Sequence, residues 1–157
     1  QGLRTPKMPA FAQRILSEMA VASQAGTYSG VDLFYNEEKI SLLFPDALTF
    51  SPGSAILDAA AAGILKDLAK RIVSSPFHVV VEGHTDSTIG EKTDNIELSV
   101  SRAISVARYL FSQGMPLNRI SVSGYGPYRP IADNTDIEAR RLNRRVEVHI
   151  MINEEIL

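Results

Sequence analysis

Residues 77–86 read Phe-His-Val-Val-Val-Glu-Gly-His-Thr-Asp. Phe77 to Val81 is a continuous β-branched and aromatic run, the mark of a central strand or of one covered on both faces. The stretch ends by carrying the carboxylate of Asp86 just past the strand's carboxyl end, where open α/β sheets place their ligand sites. Ser87, Thr88 and Gly90 then make a loop, and Asn95 stands near the start of the next helix. That helix shows its apolar face through Val100, Ala103, Ile104, Ala107, Leu110 and Phe111, and Gly114 and Pro116 stop it. Arg102 falls in its first turns, off the Val100-Ala103-Ala107 stripe, where it is free to meet solvent or a ligand.

A carboxylate, a guanidinium and the unpaired N–H groups of a helix start are together complementary to a zwitterion carrying an ammonium and a carboxylate. The same spacing equally suits a plain Asp86–Arg102 surface salt bridge with no ligand. From residue types alone both remain open.

Upstream of the deciding strand, Phe11, Ile15, Leu16, Met19 and Ala22 recur at helical spacing, so a short amphipathic helix is expected to end near Gly26. Its stripe would pack on the domain or on a partner helix. Val31, Leu33 and Tyr35, the polar Asn36-Glu37-Glu38-Lys39, and Ile40, Leu42 and Phe44 read as a β-hairpin. Ser54 is the expected N-cap of a helix whose face is Leu57, Ala60, Ala61, Ile64, Leu68 and Ile72. Downstream, Ile120 and Val122 give a short strand, residues 124–130 a loop, Asp136 to Asn143 a third helix, and Val146, Val148 and Ile150 a closing strand of clean alternation. Helices and strands in this order imply an α/β, two-layer sandwich of βαβ units with a mixed sheet, preceded by an N-terminal helix and hairpin. Residues 1–28 are assigned to a linker and helix, and 29–157 to the domain.

The chain of 157 residues carries 16 basic and 18 acidic side chains, a formal charge of −2, and no cysteine. It is long enough for a real core without disulfides or a structural metal, and the missing thiols exclude zinc-finger, iron-sulfur and thiol-nucleophile chemistry. No apolar run reaches the roughly 18 residues of a spanning helix. The start at Gln1, with no signal-like segment, reads as part of a longer protein.

His78, His84 and His149 lack the paired spacing of a metal helix and are expected as strand histidines satisfied by hydrogen bonds, so neither metal nor cofactor is expected. Gly124-Tyr125-Gly126-Pro127 lacks the third glycine of a dinucleotide loop. Arg140, Arg141, Arg144 and Arg145 form a basic cluster, but the net acidity and the absence of interleaved aromatics argue against nucleic acid. Glu82 and Glu97 are the nearest spare carboxylates, yet no base, nucleophile or metal set converges on them, so an enzyme is not expected.

Gly83-His84-Thr85-Asp86, Asn95-x-x-Leu98-Ser99-x-x-Arg102-Ala103, Gly124-Tyr125-Gly126, Pro130-Ile131-Ala132-Asp133-Asn134 and Arg140-x-x-Asn143-Arg144-Arg145-Val146-Glu147, in this order, strongly resemble the OmpA-like peptidoglycan-binding domain over about residues 50–150. The resemblance implies noncovalent binding of the cell-wall stem peptide through its diaminopimelate. Asp86 would take the ammonium and Arg102 the carboxylate. Thr85, Asn95 and Leu98 would shape the pocket, with Arg140 and Asn143 lining the same mouth and Arg144 and Arg145 supporting the helix-to-strand junction. The loop between Asp86 and Asn95 is one residue longer than is usual in the family.

Leu43-Phe44-Pro45-Asp46 and Ser51-Pro52-Gly53-Ser54-Ala55 further resemble the entrance to the domain in MotB-type and PomB-type flagellar stator subunits. That resemblance implies the periplasmic domain of an inner-membrane protein, a homodimer held to an ion-channel partner subunit through a missing membrane helix. The first helix would then regulate extension to the wall. The alternative is the wall-anchoring domain of an outer-membrane protein, lipoprotein or secretion-system component.

Overall fold

A computed structural model describes residues 8–87 and 92–152, the side chains of Lys92 and Thr93 excepted. Thr88 and Gly90, expected in the loop after Asp86, lie outside the described residues. The elements in order are α1 (Ala10–Gln24), β1 (Asp32–Tyr35), β2 (Lys39–Pro45), α2 (Asp46–Thr49), α3 (Ala59–Ile72), β3 (His78–His84), α4 (Lys92–Ser112), β4 (Ile120–Gly124), α5 (Ile137–Asn143) and β5 (Arg145–Met151).

The sheet order is β1-β2-β5-β3-β4. Strands β3 and β4 are parallel and joined through α4, whereas β1/β2, β2/β5 and β5/β3 are antiparallel. The described residues therefore contain two βαβ units, β3-α4-β4 and a β2-α3-β3 unit split by the insertion of β5 between its parallel strands, which is the mixed two-layer sandwich expected from the pattern. The last strand enters the middle of the sheet, so the core closes only when the C-terminal end of the chain is in place.

Period-two alternation explains which side chains are inside. Ile40, Leu42 and Phe44 of β2, Val79 and Val81 of β3, and Val146, Val148 and Ile150 of β5 are buried against Leu65, Leu68 and Ile72 of α3 and Ala103, Val106 and Leu110 of α4. The alternate positions point to the helix-free face. There Glu82 and Glu147 stand directly opposite one another on neighbouring strands. Like charges so placed repel, and they are tolerated because Arg145 pairs with Glu147 and the imidazoles of His84 and His149 lie against both carboxylates. Hydrogen bonds from His149 and His84 hold Glu82 well below the ordinary carboxylate range. Burial alone would push Glu147 up, but bonding to His149 and Arg145 outweighs it and brings the group down to about 2.

Helix α1 packs on the domain. Ala12, Ile15, Met19 and Ala22 are buried in the same core, Phe11 meets Phe77 edge-on at 5.9 Å, and Glu18 pairs with Arg71 of α3 at 3.8 Å. Tyr28, at the boundary expected for the linker, is buried with its hydroxyl donating to Asp67.

Two predicted helix starts differ. The side chain of Asp58, not Ser54, caps α3 by accepting from the Ala59 amide. Ser54 instead closes a local turn onto the Ile56 amide. Helix α4 begins at Lys92, well before Val100, so Arg102 sits mid-helix rather than in the first turns.

Helix α4 can approach the sheet because two glycines lie side by side beneath it, Gly83 and Gly124, paired in register on β3 and β4. A Cβ on Gly83 would lie 1.9 Å from the Ser99 carbonyl oxygen, and one on Gly124 would lie 2.6 Å from the Val100 amide nitrogen. Ser99 Oγ donates to the Ile96 carbonyl and accepts from the Gly126 amide, while Gly126 O accepts from the Thr85 amide. Further along, Asn143 is buried and binds the 131–134 loop four ways: it accepts from the Ile131 and Ala132 amides and donates to Ala132 O and Asn134 Oδ1.

Gly83→Ala is expected to destabilise the domain by about 3 kcal/mol, because its methyl meets backbone that cannot rotate away; chemical denaturation checks it. Asn143→Ala should cost about 2–3 kcal/mol by orphaning two amides and, in hydrogen exchange, should lose protection at Ile131 and Ala132 specifically.

Candidate functional site

The end of β3, the first half of α4, the short α2 and the α5–β5 junction surround a cleft of about 450 Å³. Asp46, Ala47, Phe50, Pro52, Gly53, Thr85, Asp86, Asn95, Leu98, Arg102 and Arg144 line it. Five of the seven expected residues, Asp86, Arg102, Thr85, Asn95 and Leu98, thus come together in one cavity. Arg140 and Asn143, expected at the same mouth, do not line it. Asn143 is the buried staple of the 131–134 loop, and Arg140 holds its Nε buried with no hydrogen-bond partner among the described residues.

Each side chain arrives for a local reason. Thr85 and Asp86 follow β3 directly and are fixed by the Thr85 amide donating to Gly126 O at 2.9 Å. Asn95, Leu98 and Arg102 recur at the three- and four-residue spacing that puts them on one face of α4. Asp46 and Arg144 become neighbours because Pro45 pairs with Arg145 in the β2–β5 ladder, after which the Asp46 amide donates to Arg144 O at 2.9 Å. Helix α4 also holds the far wall: Arg102 Nε donates to Ser54 O at 3.0 Å and Ser105 Oγ to Ala55 O at 2.6 Å.

The charges alternate. Arg102 forms an ion pair with Asp46, and Arg144 forms one with Asp86, with Arg144 Nε also 4.0 Å from Asp46. Two carboxylates and two guanidiniums thus make a neutral chain, Arg102–Asp46–Arg144–Asp86, along the cleft wall. Arg102 is only 3% exposed and lies 5.0 Å over the Phe50 ring, which corrects the expectation that it stands free toward solvent. Burial lowers its pKa and Asp46 opposes this, while burial raises the pKa of Asp46 against the pull of Arg102 and Arg144. Asp86 is likewise buried, and in place of the plain Asp86–Arg102 bridge, one of the two readings left open by the spacing, each has its own partner. Thr85 Oγ1 is buried with no hydrogen-bond partner among the described residues.

Sequence reasoning missed Asp46 and Arg144. Asp46 lay inside a segment valued only for resemblance, and Arg144 was assigned to the helix-to-strand junction. Arg145 does fill that supporting role, donating to Asn143 O and Arg129 O at 3.1 Å each.

Such a wall suits a ligand that carries both signs of charge. Among the described residues it holds no nucleophile with an adjacent base, and its carboxylates are engaged by guanidiniums.

The chain is similar to several known proteins. Over 121 residues it is 40% identical to the probable lipoprotein YiaD of Escherichia coli K12, a span of 76% of this chain and 55% of that protein. Over 102 residues it is 38% identical to the peptidoglycan-binding protein ArfA of Mycobacterium tuberculosis H37Rv, 64% of this chain and 31% of that protein. The chain thus spans about half or less of these relatives. The crystal structure of a MotB-like protein from Desulfovibrio vulgaris superposes with a TM-score of 0.78 at 27% identity, covering 90% of this chain and 94% of that one. Residues 49–144, from α2 through the α5–β5 junction, match the OmpA family, and the chain belongs to that family.

Proposed function

We propose that this domain binds peptidoglycan noncovalently and anchors a flagellar motor stator to the cell wall, acting in the periplasm as part of an inner-membrane protein. The observation that carries the reading is the cleft in which Asp86 and Arg102 sit on facing elements, each with an internal partner of opposite charge. The stem-peptide residue diaminopimelate presents an ammonium and a carboxylate on one carbon. Its ammonium replaces Arg144 at Asp86, and its carboxylate takes the place of Asp46 at Arg102. Arg144 and Asp46, already 4.0 Å apart, then close on one another. Two internal ion pairs are exchanged for two intermolecular ones, and the cleft stays neutral throughout.

Thr85 Oγ1 supplies a hydrogen bond that no described residue of the domain uses. Leu98 and Phe50 give the apolar walls. Asn143 acts at a distance by holding the 131–134 loop.

Exchange explains the affinity expected of such an anchor. A charge-assisted hydrogen bond contributes about 1.5–3 kcal/mol, but each new one replaces an old one, so the net is a micromolar to millimolar site. The domain does no covalent chemistry; its work is to hold. Likeness to a MotB-like structure over nearly the whole of both chains supports the stator reading. The 40% identity to YiaD favours a second reading, the wall anchor of an outer-membrane lipoprotein, which would use the same cleft.

Asp86→Asn and Arg102→Ala are each expected to fold, by circular dichroism, and to lose about 2–4 kcal/mol of affinity for purified sacculi in a pull-down. Undiminished retention of both would refute the assignment. Fusing the domain behind the membrane helix of a stator subunit separates the two readings, with restored swimming supporting the motor and immobile cells the lipoprotein.

A further inference from the structure

The helix-free face of the sheet carries a second cluster with no part in the cleft. Strand β3 contains Glu82-Gly83-His84 and strand β5 contains Glu147-Val148-His149, the same Glu-x-His pattern on adjacent antiparallel strands. Register sets Glu82 opposite Glu147. His84 pairs with Arg145 and His149 with Val80, so the two imidazoles flank the carboxylate rung from its two sides. The arrangement has a local two-fold relation that neither strand has alone.

Each imidazole meets both carboxylates. His84 Nε2 lies 3.2 Å from Glu82 Oε1 and 3.5 Å from Glu147 Oε2. His149 Nε2 lies 3.2 Å from Glu147 Oε1 and 3.7 Å from Glu82 Oε1. One ring nitrogen has at most one hydrogen to give, so each faces more acceptors than it can serve. The separations match a different arrangement. Ligands bound at about 2.0–2.2 Å around a tetrahedral ion stand about 3.3–3.6 Å apart.

Two of the groups, His149 and Glu147, are also oriented by hydrogen-bonding partners behind them, while Nδ1 of His84 is buried with no such partner among the described residues. Ser41 Oγ holds Nδ1 of His149 at 2.7 Å, leaving Nε2 for the carboxylates. Arg145 grips Glu147 through Nε and Nη2, both at 2.7 Å. The Tyr125 ring stacks on His84 at 5.3 Å and 19°. Except for Tyr125, just past β4, the three adjacent strands β2, β5 and β3 supply all of this, and His84, His149, Ser41 and Arg145 are each at least 97% buried.

We propose that Glu82, His84 and Glu147, whose ligand atoms lie within 4.8 Å of one another, bind one divalent transition-metal ion on the sheet face opposite the helices, with His149 beside the carboxylate pair. One imidazole nitrogen with two carboxylates suits a borderline ion such as Zn²⁺ better than Mg²⁺ or Ca²⁺, which prefer all-oxygen sites. The ion would tie the carboxyl end of β3, from which Thr85 and Asp86 lead into the cleft, to β5. It would stiffen the cleft's floor and leave the ligand untouched.

The test is calorimetric titration of the tag-free, chelator-stripped protein with ZnCl₂, read together with thermal unfolding. One equivalent should saturate and raise Tm, with Mg²⁺ giving neither. His84→Gln and Glu147→Gln should each weaken Zn²⁺ binding by more than about tenfold, while His78→Gln, whose ring pairs with Ser121 on the same face at 2.6 Å, should leave it unchanged. Absence of saturable Zn²⁺ uptake by the parent protein overturns the proposal whether or not the variants fold, and so does equal uptake by parent and both folded ligand variants. Sacculus binding enters none of these readouts, so the outcome is independent of the wall-anchoring reading.

Discussion

The close seat of α4 on the Gly83–Gly124 pair is the constraint from which the rest of the structure follows. Side chains on either strand would hold the helix away, since the space is already taken by backbone of Ser99 and Val100. With the helix seated, Ser99 reaches Gly126, Gly126 reaches Thr85, and the strand end carrying Asp86 is locked against the face carrying Asn95, Leu98 and Arg102. The cleft is therefore a by-product of helix–sheet packing at its closest. Its precision comes from backbone contact rather than from loops, which are poorer at holding charged groups in place.

Within that frame the four charged residues settle a problem that a buried site creates for itself. An unpaired guanidinium or carboxylate in this setting would carry a heavy desolvation cost. Alternating Arg102, Asp46, Arg144 and Asp86 removes the cost. Under the proposed exchange this would lower affinity but sharpen selection, because a ligand with one charge would replace one partner only and strand the other, whereas matching both signs at once would restore every pair.

Much of this was legible in the residues. The hairpin around Asn36, the helix ending at Asn143 and the alternation of Val146, Val148 and Ile150 appear as structure within a residue or two, and the Phe77–Val81 run as a strand that continues three residues further to His84, since each depends on local periodicity. Asp86 and Arg102 were legible as a pair sharing a cleft, but their partners were not. Arg102 meets Asp46 across more than fifty positions of chain, and Arg144 meets Asp86 through a strand inserted late into the sheet centre. Wheel geometry put Arg102 outside the stripe, and so it is, yet the 51–57 segment covers that side of the helix as well. The start of α4 was hidden because residues 94–98 carry no core-facing stripe: Asn95 and Leu98 line the cleft, and Asp94, Ile96 and Glu97 are exposed. The histidines illustrate the same limit. A search for helical spacing passes over Glu-x-His repeats that only antiparallel register brings together.

The two sheet faces impose opposite demands on the same strand. Toward α4, β3 needs small or apolar groups, and Val79, Val81 and Gly83 provide them. Away from it, His78, Glu82 and His84 are bound to neighbours on β4 and β5. A strand secured on both faces can transmit load along its length without its end moving. That property suits a tether better than a tighter pocket would. If the cleft binds by exchange as proposed, it would release readily, and holding under force would then depend on several such domains engaging one polymer at high effective concentration. A strand end fixed on both faces would present each cleft in one orientation and so favour that multiple engagement.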